Sequence, residues 1–195
     1  MPTLLYLHGF NSSSQSKKAL QTRRWINDHA PHVKFVCPDL PPFGSLAIKE
    51  VELILDTSLS QPVCLIGSSM GGFFATVLVE QYNLRGVLIN PAVSPARGLK
   101  SWLGENENYS TGQKWILENH HIEEFRTLDP YEIKNKANYL VFLQTGDEVL
   151  NYRDAETRYT GANIVIEQGG DHSFLDYDRH LSDIYRFLFT DAKTT

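Results

Sequence analysis

The character of its apolar runs constrains this chain most. Thr3 to His8, Val33 to Leu40, Pro62 to Gly67, Gly86 to Asn90, Tyr139 to Gln144 and Asn163 to Glu167 are rich in β-branched and large apolar residues. Most are nearly continuous in apolar residues instead of alternating with polar ones, the pattern of strands covered by helices on both faces of a parallel sheet. Segments with helical spacing lie between them: Lys17 to His29, Leu46 to Thr57, Gly72 to Tyr82, Tyr152 to Tyr159 and His180 to Phe189. Strand and helix alternate, which predicts the α/β class.

One connection breaks the rhythm. The stretch from Val93 to Lys136 is far longer than an ordinary crossover and holds Trp102, Trp115 and a polar loop from Gly104 to Gly112. A loop of this length in a compact domain is usually a lid or binding element. The expectation is a small helical cap inserted at about residues 94–136, with short helices over Pro95 to Leu103 and Gly112 to His121. The rest reads as one domain over all 195 residues, ending in a frayed tail from Asp191 to Thr195.

Composition narrows the function classes. A net charge of −5 and a pI near 5.8 leave no basic excess for phosphates, so the expected partner is a small molecule and not nucleic acid. The first apolar run, Leu4 to Leu7, is too short for a signal-peptide core, and no run approaches a membrane span. Cys37 and Cys64 both fall in apolar runs and read as free core thiols, so the expected location is a reducing cytoplasm.

Gly67-Ser68-Ser69-Met70-Gly71 matches G-x-S-x-G, placed after the apolar strand Val63 to Ile66 and before a helix. A serine oxygen stands exposed above a sheet only if the chain turns sharply from strand to helix, with side-chain-free neighbours on either side. The helix start also points N–H groups at developing negative charge. A P-loop would need a lysine followed by Ser or Thr, which is absent, and Ser68 occupies the wrong place in the motif. Ser69 is the expected nucleophile.

A fold built this way calls for an acid and then a histidine after the serine. The strand Tyr139 to Gln144 ends in Thr145-Gly146-Asp147-Glu148, and Asn163 to Glu167 ends in Gln168-Gly169-Gly170-Asp171-His172. Both positions lie at carboxyl ends of strands, where sites assemble in open α/β sheets. Asp147 and His172 complete the expected triad. Asp171 adjoins the histidine and points away from it on an extended turn, and Glu148 begins to face the next helix. His8-Gly9-Phe10, at the end of the first strand, resembles the loop that completes the oxyanion hole in this kind of fold, and the expected donors are the N–H groups of Phe10 and Met70. His8 precedes the serine and is assigned to holding that loop. His29, His32, His120, His121 and His180 read as surface histidines on helices or the cap. No His and Cys cluster has metal-ligand spacing, and neither a metal nor a cofactor is expected.

Taken together, Leu4 to Ser13 (LLYLHGFNSS), Gly67 to Gly72 (GSSMGG), Asn90 to Val93 (NPAV), Gln144 to Leu150 (QTGDEVL) and Gly169 to Phe174 (GGDHSF) resemble the small bacterial YqiA-like esterases of the α/β-hydrolase superfamily. Leu103 to Asn108 with Tyr109 to Gln113 fits that family too, within the cap. The resemblance covers nearly the whole chain. It implies a serine esterase or thioesterase acting on simple acyl esters, with acyl-CoA thioesters as a natural class. It also implies a reduced fold of about six parallel strands, lacking the two usual N-terminal ones. Trp102, Asn106, Tyr109 and Trp115 are expected to wall the substrate pocket. Carbon–carbon bond hydrolases and acyltransferases use the same triad on the same fold, and a weakly catalytic binding protein would retain it.

Overall fold

Each apolar run contains a strand in the computed structural model, which describes residues 1–58 and 61–190. β1 (Thr3–Leu7), α1 (Lys17–His29), β2 (Lys34–Val36), α2 (Gly44–Ser58), β3 (Val63–Ser68), α3 (Met70–Tyr82) and β4 (Arg85–Ile89) alternate through the first part of the chain. The insertion follows, with 3₁₀ turns at Pro95–Arg97 and Leu99–Trp102, an antiparallel hairpin of β5 (Gly104–Glu107) and β6 (Lys114–Leu117), and then α4 (Asn119–Leu128). The alternation resumes with β7 (Tyr139–Gln144), α5 (Tyr152–Arg158), β8 (Asn163–Glu167) and α6 (Leu181–Tyr185), which runs into a π-helical turn at Arg186–Thr190. The expected frayed tail, 191–195, lies outside the described residues.

Among the described residues six strands form one parallel sheet in the order β2-β1-β3-β4-β7-β8. Side chains alternate between its two faces. Leu5, Leu7, Leu65, Leu88 and Val141 join Ile48 and Leu55 of α2 and Phe74 and Leu78 of α3. Leu4, Tyr6, Ile66, Val87 and Phe142 join Ile26 of α1 and Leu181 and Ile184 of α6. Two-sided burial is why the central strands carry no polar alternation, and each fully buried leucine contributes about 1.5–3 kcal/mol. The expectation fails at β8, an edge strand, where Val165 and Ile166 are each 37% exposed.

The second cap helix expected over Gly112 to His121 is instead extended chain, with Asn106 opposite Trp115 in the hairpin register. The Asn108 side chain decides this locally, because its Oδ1 accepts the Ser110 and Thr111 N–H groups at 2.9 and 3.1 Å. That turn and the pairing with Gly104–Glu107 hold the chain extended through Leu117 against its helix-forming residues. The helix starts only at Asn119, where the Glu118 carboxylate takes the His121 N–H and the His121 ring takes the Glu118 N–H. Cys64 is buried and Cys37 half-buried, and burial pushes both thiols up to about 12. No helix among the described residues is long and apolar enough to cross a membrane.

Candidate active site

The carboxyl ends of β1, β3, β4, β7 and β8 converge on Ser69. Its backbone sits at φ 55° and ψ −121° between β3 and α3, held by the bond from Ser69 N–H to the Ile89 carbonyl and by Ala92 N–H donating to the Ser69 carbonyl, both 3.0 Å. The two motif glycines are required by contact. A Cβ on Gly67 would stand 2.2 Å from the Gly71 carbonyl oxygen, and one on Gly71 would stand 2.0 Å from that of Leu7.

The His172 Nε2 lies 2.9 Å from the Ser69 Oγ. Its Nδ1 lies 2.9 and 3.0 Å from the two Asp147 carboxylate oxygens. The Asp147 Oδ1 also accepts the Val149 and Leu150 N–H groups at 2.9 and 2.8 Å, so the buried carboxylate is anchored and faces the imidazole. Three residues that lie far apart in the chain thus form one hydrogen-bonded line.

Neighbouring carboxylates take other places. Glu148 does not turn towards the next helix, because its Oε2 accepts the His172 N–H at 3.0 Å. Asp171 is held by its backbone, with its N–H on the Gln144 Oε1 at 3.2 Å and its carbonyl on the Asn90 Nδ2 at 3.0 Å. One Asp171 carboxylate oxygen is buried without a hydrogen-bond partner among the described residues.

His8 is buried and bridges two loops: its Nε2 accepts the Leu40 N–H and its Nδ1 donates to the Gly9 carbonyl, both 2.9 Å. Burial holds its pKa below the ordinary value. This brings the loop against the serine, since a Cβ on Gly9 would be 3.3 Å from the Ser69 Cβ. Among the described residues neither the Phe10 nor the Met70 N–H has a hydrogen-bond partner.

Ser69 and His172 open into a cavity of about 790 Å³, also lined by Phe10, Met70, Trp102 and Tyr109. Of the four cap residues expected at the pocket, Trp102 and Tyr109 are there. Asn106 is not: it is buried, and its Nδ2 donates to the Trp102 and Gly104 carbonyls. Trp115 lies behind Phe10, with its Nε1 donating to the Asn11 Oδ1 at 2.9 Å. His121 stacks on Phe43 with ring centroids 4.2 Å apart. His180 departs from the surface reading, pairing with Glu167 at 3.0 Å and packing on Phe142. Glu118, His120 and His121 bring metal-capable atoms within 4.8 Å of one another, and two of the three are engaged in capping α4.

The profile of the Uncharacterised protein family UPF0227 matches residues 3–189. The chain belongs to that family. It is similar to the UPF0227 protein YcfP of Escherichia coli strain K12, 26% identical over 193 residues, covering 94% of this chain and 97% of that protein. The UPF0227 protein of Serratia proteamaculans is 28% identical over 190 residues, with the same shares covered. Among solved structures this UPF0227 chain is similar to Est1E of Butyrivibrio proteoclasticus, solved with ferulic acid bound, at a TM-score of 0.71 and 14% identity over 94% of this chain and 86% of that one. It is also similar to mouse alpha/beta hydrolase domain-containing protein 10, at a TM-score of 0.70 and 16% identity over 93% and 87% of the two chains. The fold is that of the α/β-hydrolases.

Asn90 is a site residue of this UPF0227 chain whose role sequence reasoning missed. At φ 40°, and buried, it donates from Nδ2 to the Asp171 and His172 carbonyls at 3.0 and 3.3 Å. Its Oδ1 accepts the Gln144 N–H at 3.0 Å. It ties the acid-bearing strand to the histidine loop. Asn90-Pro91 directly after an apolar strand was the available signal, since asparagine tolerates the left-handed region and proline ends the strand.

Proposed function

We propose that this chain is a serine hydrolase of acyl esters, thioesters included, acting through Ser69, His172 and Asp147. The observation that carries the reading is the line of hydrogen bonds from the Ser69 Oγ through the His172 ring to a buried, doubly anchored Asp147 carboxylate. A carboxylate that holds the imidazole in one tautomer leaves Nε2 as the acceptor for the serine proton. The Ser69 Oγ attacks the carbonyl carbon as that proton passes to Nε2, and the negative charge moves to the carbonyl oxygen, where the Phe10 and Met70 N–H groups receive it. The carbon–oxygen or carbon–sulfur bond then breaks and Nε2 returns the proton to the leaving alcohol or thiol. Water, deprotonated by His172, cleaves the acyl-enzyme and frees the acid and Ser69.

Support from relatives is at the level of fold, with Est1E and an esterase domain from Rhodothermus marinus among the similar structures. Carbon–carbon bond cleavage and acyl transfer use the same machinery, and the decisive experiment separates ester hydrolysis from transfer. Fluorophosphonate is expected to label Ser69, and p-nitrophenyl esters to give a burst followed by steady release of free acid. An unlabelled Ser69, or turnover undiminished in Ser69→Ala, would overturn the reading. A burst that continues only when an alcohol or amine acceptor is added would make the protein a transferase.

A further inference from the structure

A second cavity, of about 460 Å³, shares Phe10 and Met70 with the site cavity but not Ser69 or His172. The Phe10 ring is the partition. It stands edge-on to Trp102, which lines the first cavity, at 5.7 Å between centroids, and edge-on to Trp115, which lines the second, at 5.3 Å. Leu40, Pro41, Pro42, Phe43, Leu46 and Phe74 supply the apolar part of the remaining wall.

Most polar groups at this wall are already engaged. The Asn108 Oδ1 takes the Ser110 and Thr111 N–H groups, and its Nδ2 donates to the Ser12 carbonyl. The Trp115 Nε1 is on Asn11, the His8 Nε2 is on Leu40 N–H, and an Asp39 oxygen accepts the Ser14 N–H. What is left for an occupant is mostly aromatic and aliphatic surface, with Ser12, Gln113 and the second Asp39 oxygen as the polar exceptions, in a volume within the range of ligand pockets.

We propose that this second cavity receives the hydrocarbon chain of the substrate, passing Phe10 from a carbonyl held at Ser69. The assignment to substrate rests on the hydrolase reading; the cavity's preference for an apolar chain does not. The walls explain why occupancy matters for rate. Part of the wall is the loop that carries the Phe10 N–H, part is the β5–β6 hairpin, and Leu40 to Phe43, Leu46 and Phe74 complete the enclosure. The loop and the hairpin are joined by Tyr109 N–H to the Asn11 carbonyl, Asn108 Nδ2 to the Ser12 carbonyl and Trp115 Nε1 to the Asn11 Oδ1, at 2.8–2.9 Å. A chain packed against both holds that amide in place, so longer chains raise kcat as well as lower KM.

The test narrows the cavity from two sides, with Leu46→Trp and Thr111→Trp, each checked for wild-type melting. Two ester series are compared, p-nitrophenyl alkanoates from acetate to decanoate and alkyl acetates from methyl to decyl. The preference for long over short chains, as a ratio of kcat/KM, is expected to fall roughly tenfold in both variants, the loss of about two buried methylenes. The series in which it falls shows whether the acyl or the alcohol chain occupies the cavity. Calorimetric titration with n-octanol should give saturable binding in the wild type and lose it in both variants. Unchanged ratios in both series with both variants would overturn the proposal, and so would octanol binding that neither substitution disturbs. If octanol binding is lost as expected but Ser69 takes no fluorophosphonate, the hydrolase reading falls and the apolar preference of the cavity stands.

Discussion

The Ser69 backbone occupies a region that costs a residue with a side chain on the order of 1–3 kcal/mol, and the contacts at Gly67 and Gly71 keep it there. Ser69→Gly and Ser69→Ala should both lose ester hydrolysis, with the glycine variant about 1 kcal/mol more stable because it alone relieves the strain. Calorimetric melting of the two variants checks this, and a glycine variant no more stable than the alanine one would remove the strain argument. The carboxylates separate in the same way. Asp147→Asn should retain the fold and lower kcat by about 10⁴, as loss of the orienting acid does in serine proteases. Asp171→Asn, whose carboxylate makes no bond to the imidazole, should cost much less. Steady-state kinetics on folded variants decides, and the reverse ranking would move the acid to Asp171.

At the scale of elements, the hairpin is a brace for the loop carrying Phe10. Its three bonds reach Asn11 and Ser12, one and two residues beyond the amide assigned to the oxyanion hole, and Asn11 itself is bent into the left-handed region at φ 53°. Trp115→Phe keeps an aromatic ring against Phe10 and deletes one bond. It should lower kcat roughly tenfold for short esters and change KM less, because a displaced oxyanion donor is felt mainly in the transition state. A rise in KM at constant kcat would show that the hairpin shapes binding and not the oxyanion loop. The sequence predicts a helix over Gly112 to His121 and a polar loop over Gly104 to Gly112, whereas Lys114–Leu117 is the second strand of the hairpin. Apolar residues at Trp115, Ile116 and Leu117 fit either period in so short a run, and the Asn108 turn and pairing with Gly104–Glu107 decided between them.

For the whole molecule, the buried His8 links site architecture to acid stability. Its Nε2 accepts a backbone N–H, so protonation there breaks the bond as well as charging a buried ring. Burial lowers its folded pKa from the ordinary 6.5, so as pH falls below about 6.5 the unfolded chain takes up the proton first. The stability is therefore present above that value and is lost as pH falls towards the folded pKa. His8→Gln should flatten the dependence of melting temperature on pH below 6.5. An unchanged slope would place the acid sensitivity elsewhere.

The local pattern of the chain determined the sheet, the strand-to-helix turn at Ser69 and the order serine, acid, histidine. Continuous apolar runs have to be buried on both faces, and only a residue flanked by glycines fits where β1, β3 and α3 meet. What the local pattern left open was decided by contacts between distant segments. Glu148 and Asp147 are adjacent and chemically alike, yet one holds the His172 backbone and the other its ring, because the loops after β7 and β8 come together there. Asn90 ties those loops from a third strand. Trp115, expected at the pocket, stands behind Phe10 because the hairpin crosses that loop. Sequence spacing carries no record of such meetings, since each is set by where the sheet order brings two chain ends together.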